Sequence, residues 1–115
     1  MVGCSIGEQE IKTILEQNNI KFKQEFIFSD LPNRRYDFAL LDKNDKVIQL
    51  IEFDGEQHYI EAPFFKTTLE EQRKIDEEKT LFAKSKGIKL IRIPYWKRHK
   101  LELNDLEVNL NELSQ

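Results

Sequence analysis

Three acids in this chain stand among apolar neighbours, where acids are uncommon. Asp37 lies in Tyr36-Asp37-Phe38-Ala39-Leu40-Leu41, and Glu52 and Asp54 close the run Val47-Ile48-Gln49-Leu50-Ile51-Glu52-Phe53-Asp54. The two runs flank the polar segment Asp42-Lys43-Asn44-Asp45-Lys46 and read as a β-hairpin. With Asn44 and Asp45 at the centre of the turn, equal steps outward set Asp37 directly across from Glu52, on the same face of the sheet. Asp54 shares that face if the strand extends to it. Opposed carboxylates repel and are rarely buried unpaired, so a cation is expected among them. A divalent metal suits this pattern, because Mg²⁺ favours one or two carboxylates, several waters and phosphate oxygens. The alternative is pairing with Arg34, Arg35 or lysines at a strand end, and a one-residue shift of the turn would send Asp37 and Glu52 to opposite faces.

His58 follows the third acid closely, in Phe53-Asp54-Gly55-Glu56-Gln57-His58-Tyr59. Gly55 permits a sharp exit from the strand that would bring His58 back over its end. A histidine there can take a proton from water, give one to a leaving alkoxide, or bind metal. Taken alone, a single His is more often a surface or structural residue.

The elements that must position these groups follow from periodicity. Ser5-Ile6-Gly7-Glu8 is a capping box, and Ile11, Ile14 and Leu15 continue a helix over about 6–18. Phe22 to Phe28 alternates as a strand, and Ser29 to Asn33 is a loop. Thr68-Leu69-Glu70-Glu71 opens a second helix that runs to about Ser85 and stops at Gly87. Ile88 to Ile93 is a strand closed by Pro94, and Leu103, Leu106, Leu110 and Leu113 suggest a short terminal helix. The order is α-β-β-β-α-β, an α/β fold with one four-stranded mixed sheet flanked by helices. Leu69, Ile75 and Phe82 are assigned to the core. Gln72, Asp76, Lys79 and Ala83 recur at helical spacing, so the first three can share a face towards the hairpin acids, although Asp76 and Lys79 could equally form an ordinary helical ion pair. Glu8 is explained locally by its capping box.

The chain has 115 residues, which fits one domain, with a core over about 5–96 and a basic segment and tail over 97–115. Its 39% hydrophobic content and eight Phe support a packed core in spite of 34% charged residues. No apolar run approaches the length of a membrane span, and no leader pattern begins the chain, so a cytoplasmic protein without membrane association is expected. The single Cys4 allows no intrachain disulfide and suits a reducing compartment.

The net charge of -3 argues against a nucleic-acid partner until the charges are located. Lys84, Lys86, Lys89, Arg92, Lys97, Arg98 and Lys100 fall in one stretch with no acid; the other 11 of the 18 Lys and Arg face all 21 acids. Tyr95, Trp96 and His99 lie among these cations. Lys89, Arg92, Tyr95, Trp96, Lys97, Arg98, His99 and Lys100 are therefore the expected DNA contacts, the cations on phosphates and the aromatics on bases. A solvated strand-end loop is the alternative reading of such a charge run.

Over roughly 5–96 the chain resembles the PD-(D/E)XK, or restriction-endonuclease-like, nuclease superfamily. The residues that carry the resemblance are Ser5 to Glu8 opening a helix, Tyr36-Asp37-Phe38 on the second strand, Ile51 to His58 at the end of the third, and Leu90-Ile91-Arg92-Ile93 after the charged helix. It implies that Asp37 and Glu52 are metal ligands. The usual catalytic lysine of that family falls on Asp54 here, so a conventional lysine mechanism is not expected. The sequence looks closer to the branch of very-short-patch repair and related homing endonucleases, whose site combines a helical Glu, a strand Asp, a His and a later Asp. Glu8, Asp37, His58 and Asp76 occur in that order, and Lys79 would be a lysine relocated to the helix. The resemblance implies a Mg²⁺-dependent DNA endonuclease, with Mn²⁺ as a substitute, no organic cofactor, and Asp37, Glu52 and Asp54 as ligands. The rival readings are a DNA-binding or assembly module that does no chemistry, and the catalytic domain of a larger homing or transposon nuclease. The Leu-bearing tail is a candidate homodimer contact.

Overall fold

Two capping boxes open the long helices. Ser5 accepts from the Glu8 amide and begins α1 (Ile6–Gln17); Thr68 accepts from the Glu71 amide and begins α2 (Leu69–Ser85). Each cap satisfies orphan N–H groups and contributes about 1 kcal/mol. Gly87, at φ +70°, takes the left-handed position that ends α2. Between and after the helices run β1 (Phe22–Phe26), β2 (Tyr36–Leu41), β3 (Val47–Asp54) and β4 (Lys89–Pro94). A computed structural model describes residues 5–60, 62, 63, 65 and 67–113; Cys4 lies outside them.

The strands form one mixed sheet in the order β1-β2-β3-β4, antiparallel at the first two contacts and parallel at the third. The main elements thus follow the expected α-β-β-β-α-β order. Alternation sends the two sheet faces to different helices. Phe38, Leu40, Ile51 and Ile93 pack with Ile11 and Leu15 of α1. Ala39, Leu50 and Leu90 pack with Ala83 of α2. A Cβ on Gly7 would run into the Phe53 ring, so glycine is what lets the start of α1 lie close to β3.

Details differ from the sequence expectation in three places. β1 ends at Phe26 instead of Phe28: Glu25 sits at φ +51°, and Phe26 with its partner Tyr36 packs on the α2 side instead of continuing the alternation. The terminal leucines form a 3-10 turn (Leu103–Leu106) and a single helical turn, α3 (Leu110–Leu113), instead of one helix. Leu106 is buried and Leu103 and Leu113 pack on the same cluster, so three of the leucines expected at a dimer contact serve the chain's own core.

The third difference concerns the hairpin itself. Leu41 pairs with Val47, which centres the turn on Asn44 instead of between Asn44 and Asp45. Continued outward, that register would set Asp37 against Ile51 and separate the two acids. A bulge between Leu40 and Leu41 absorbs one residue of β3, so that Leu40 pairs with Gln49 and Phe38 with Ile51. Asp37 and Glu52 are thereby brought side by side.

Candidate functional site

Glu52 projects towards α2 where β2 and β3 part, with Asp37 beside it. The Asp37 amide donates to Glu52 Oε2 at 2.6 Å, and the Phe53 amide donates to Asp37 Oδ2 at 2.8 Å. The carboxylates thus satisfy two backbone donors where the strands part. Lys79 of α2 is nearly buried, and its ammonium donates to Glu52 Oε1 while lying 5.0 Å from the Tyr36 ring centroid. The Tyr36 hydroxyl in turn donates to the Lys79 carbonyl at 2.8 Å. Burial and the Glu52 charge push the Tyr36 phenol up to about 12, which keeps it a donor.

One ammonium does not balance this group. Burial, and then the Glu52 charge, push the Asp37 carboxyl up to about 7; Glu8 pushes in the same direction, while the Phe53 amide and Lys79 oppose it. Glu8 makes its expected capping box, and it also stands close enough to influence Asp37. Its carboxylate accepts from the Ser5 hydroxyl at 3.2 Å, and its charge bears on Asp37 across the start of α1.

A second cluster stands one step along β3. Gly55 has ordinary extended backbone at φ -73°, ψ -177°, so its freedom is not what turns the chain. The reversal is made by a 3-10 turn over Glu56–His58, in which the His58 amide donates to the Gly55 carbonyl at 3.1 Å. This turn sets His58 Nδ1 2.7 Å from Asp76 Oδ2 and 3.7 Å from Asp54 Oδ1. Gln72 donates to the other Asp76 oxygen at 3.0 Å. With Nδ1 held by carboxylates, the neutral ring carries its proton there, leaving Nε2 as the basic nitrogen. Burial raises the Asp54 carboxyl, against the opposing charges of His58 and Arg92.

The helix face carrying Gln72, Asp76 and Lys79 serves both clusters, as its spacing suggested. Asp76 and Lys79 are not an ion pair with each other; Asp76 reaches His58 and Lys79 reaches Glu52. A cleft of about 460 Å³ is lined by Glu8, Asp37, Glu52, His58, Gln72 and Lys79. Asp54, however, stands with His58 and Asp76 instead of completing a trio with Asp37 and Glu52. Those three bring one ligand atom each within 4.8 Å of one another, a spacing that could hold a metal ion, and among the described residues they are the one group of three that does so.

The expected DNA contacts divide. Arg92 is turned inward, 3.2 Å from Asp54 and bonded to α2, so it is not part of an exposed phosphate-binding surface. Lys89 donates to the Glu107 carbonyl, and Lys97 lies 3.6 Å from Asp105. Arg98, His99 and Lys100 are exposed beyond the 3-10 turn Tyr95–Lys97. The His99 amide donates to Glu10 at 2.5 Å, and the Arg98 guanidinium lies 5.8 Å from the Tyr95 ring centroid. Tyr59 is an aromatic that sequence reasoning did not single out. Its ring lies 4.9 Å from Trp96 and 5.8 Å from Tyr95, and Tyr59 and Trp96 are both exposed. Its place directly after His58 was the available clue.

No protein-family model, curated protein or solved structure matches the chain. No helix among the described residues is long and apolar enough to cross a membrane.

Proposed function

We propose that this chain is a metal-dependent DNA endonuclease of the restriction-endonuclease-like kind. The observation that carries the reading is the under-compensated Asp37–Glu52 pair in one cleft with His58 and Lys79. The α-β-β-β-α-β order and the mixed sheet agree with that fold.

Mg²⁺, or Mn²⁺ in its place, fits Asp37 and Glu52, because a second cation restores the ionised form of a carboxyl that burial and its neighbour hold near neutrality. Such an ion would polarise the phosphodiester and orient a water. His58 Nε2 accepts the proton of the attacking water, and Asp54 and Asp76 stabilise the imidazolium that results. Lys79 stabilises negative charge developing on the phosphate oxygens. Glu8 borders the cleft and helps orient the water. In this arrangement Asp54 acts through His58 and is not a direct metal ligand. Arg98, Lys100 and the exposed Tyr59–Trp96 rings suit a nucleic-acid backbone and its bases beside the cleft.

A plasmid-nicking assay in Mg²⁺ or Mn²⁺ tests the reading. Nicking by the wild type that disappears in Asp37→Ala and in EDTA is expected; equal residual nicking by wild type and Asp37→Ala rejects it.

One observation favours a DNA-binding or assembly module without chemistry: Lys79 already pairs with Glu52, so opposed acids alone do not require a metal. Thermal unfolding separates the two readings. Stabilisation of the wild type by Mn²⁺, lost in Asp37→Asn, supports the nuclease, and no stabilisation supports the module. Appended reading modules, as in a larger homing or transposon nuclease, or a homodimer would supply the sequence readout that so small a domain has little surface to provide.

A further inference from the structure

We propose that Arg92 is a built-in cation that fills the Asp54–His58–Asp76 triad, making it a support for His58 instead of a metal site, and that removing the guanidinium charge converts the triad into a site for a transition-metal ion. The support role rests on the reading of His58 as the base; the exclusion of metal does not.

The triad has the donors and spacing of a metal site, two carboxylates and an imidazole within 4.8 Å of one another. The guanidinium stands among the same donors. Arg92 NH1 is 3.2 Å from Asp54 Oδ1 and 3.6 Å from Asp76 Oδ1. Its NH2 donates to the Asp76 carbonyl at 2.9 Å and to Thr80 Oγ1 at 3.2 Å. The fork is therefore anchored at both ends, on the acids and on α2, while β4 holds its backbone beside Glu52 in the parallel register. Since an arginine does not deprotonate in a protein, this positive charge is permanent. A divalent ion entering the triad would meet it at contact range and would have to displace bonds to both elements. The same bonds fix Asp76, whose carboxylate is shared between His58 Nδ1 and Gln72. Arg92 is thus a positioning residue: it holds the acid that holds the imidazole, and it directs an incoming divalent ion towards Asp37 and Glu52.

Equilibrium binding of Zn²⁺, measured with excess Mg²⁺ present, tests the proposal. The variants are Arg92→Ala, the neutral hydrogen-bonding Arg92→Gln, Arg92→Lys, and each neutral variant combined with His58→Ala. The wild type is expected to bind no Zn²⁺ through His58. Arg92→Gln and Arg92→Ala should gain one ion at least tenfold more tightly, lose it when His58 is also replaced, and remain without it in Arg92→Lys. If Arg92→Ala does not fold, Arg92→Gln gives the same readout. Zn²⁺ held by the wild type and lost in His58→Ala overturns the proposal, as does a folded Arg92→Gln that gains no ion. Failure of the wild type to respond to Mn²⁺ at Asp37 would reject the nuclease reading without touching this result.

Discussion

The Asp37–Glu52–Lys79 and Asp54–His58–Asp76–Arg92 clusters share strand β3 and helix α2, yet their charges are balanced differently. In the first, two acids with Glu8 nearby face one ammonium, and the Asp37 carboxyl is held near pH 7. In the second, two acids face a guanidinium and an imidazole that both oppose the effect of burial. The second has the better count of metal ligands. The first has the unmet need for positive charge. Where a cation will bind depends on the charge left uncompensated as well as on how many ligand atoms converge.

The largest effect should come from removing the uncompensated acid. Asp37→Ala is expected to reduce Mg²⁺-dependent nicking to background, a loss of at least about 10³-fold if metal and phosphate positioning fail together. His58→Ala should cost about 10²–10⁴-fold and remove the acid limb of the pH–rate profile, as expected for a general base. A flat comparison of wild type and His58→Ala across pH would assign the base elsewhere.

Stability measurements address the contrast without any substrate. Lys79→Met leaves Glu52 and Asp37 buried without their ammonium and should cost about 3–5 kcal/mol in urea unfolding of the metal-free protein. Adding Glu52→Gln to it should recover much of that loss, because the orphaned charge is gone. Additive effects of the two changes would show that the pair is not coupled.

The pH dependence follows from the sign of the Asp37 shift. The folded state keeps a proton on Asp37 up to about pH 7, whereas the unfolded chain releases it near the ordinary value of 3.8. Stability contributed by this proton is fully present below about pH 4 and is lost as pH rises to about 7. The raised Asp54 acts in the same direction. Chemical denaturation from pH 4 to 8 should show a decline that Asp37→Asn flattens, and saturating Mn²⁺ should reverse it, because a bound cation needs ionised carboxylates. The smallest effect is expected outside both clusters. Trp96→Ala should leave stability nearly unchanged and weaken binding to oligonucleotides by about 1–3 kcal/mol, read by anisotropy in EDTA.

Much of the frame was legible locally. Ser5 with Glu8 and Thr68 with Glu71 announce their helices because a cap is satisfied within four residues. The face shared by Gln72, Asp76 and Lys79 follows from the helical repeat alone. The pairing of Asp37 with Glu52 was legible for a weaker reason. The turn itself sets the register one residue away from the assumed one, and the bulge beside Leu41 restored it. Both strands are apolar on either face, so alternation could not show where the ladder would slip.

The sequence by itself determined the order of elements, the two-faced sheet and the residue types available for a site, because caps, turns and periodicity depend on neighbours along the chain. Only the tertiary structure decided which acid stands with which cation. Asp54 joined His58 and Asp76, Lys79 joined Glu52, Arg92 left the basic stretch to lie between two carboxylates, and Tyr59 met Trp96. Apart from Asp54 and His58, four residues apart, these contacts join segments that the sequence keeps apart, through a bulge, a 3-10 turn or the parallel register of β3 and β4. Electrostatic partners are set by distances of a few ångströms, and those distances exist only once the sheet and α2 have packed.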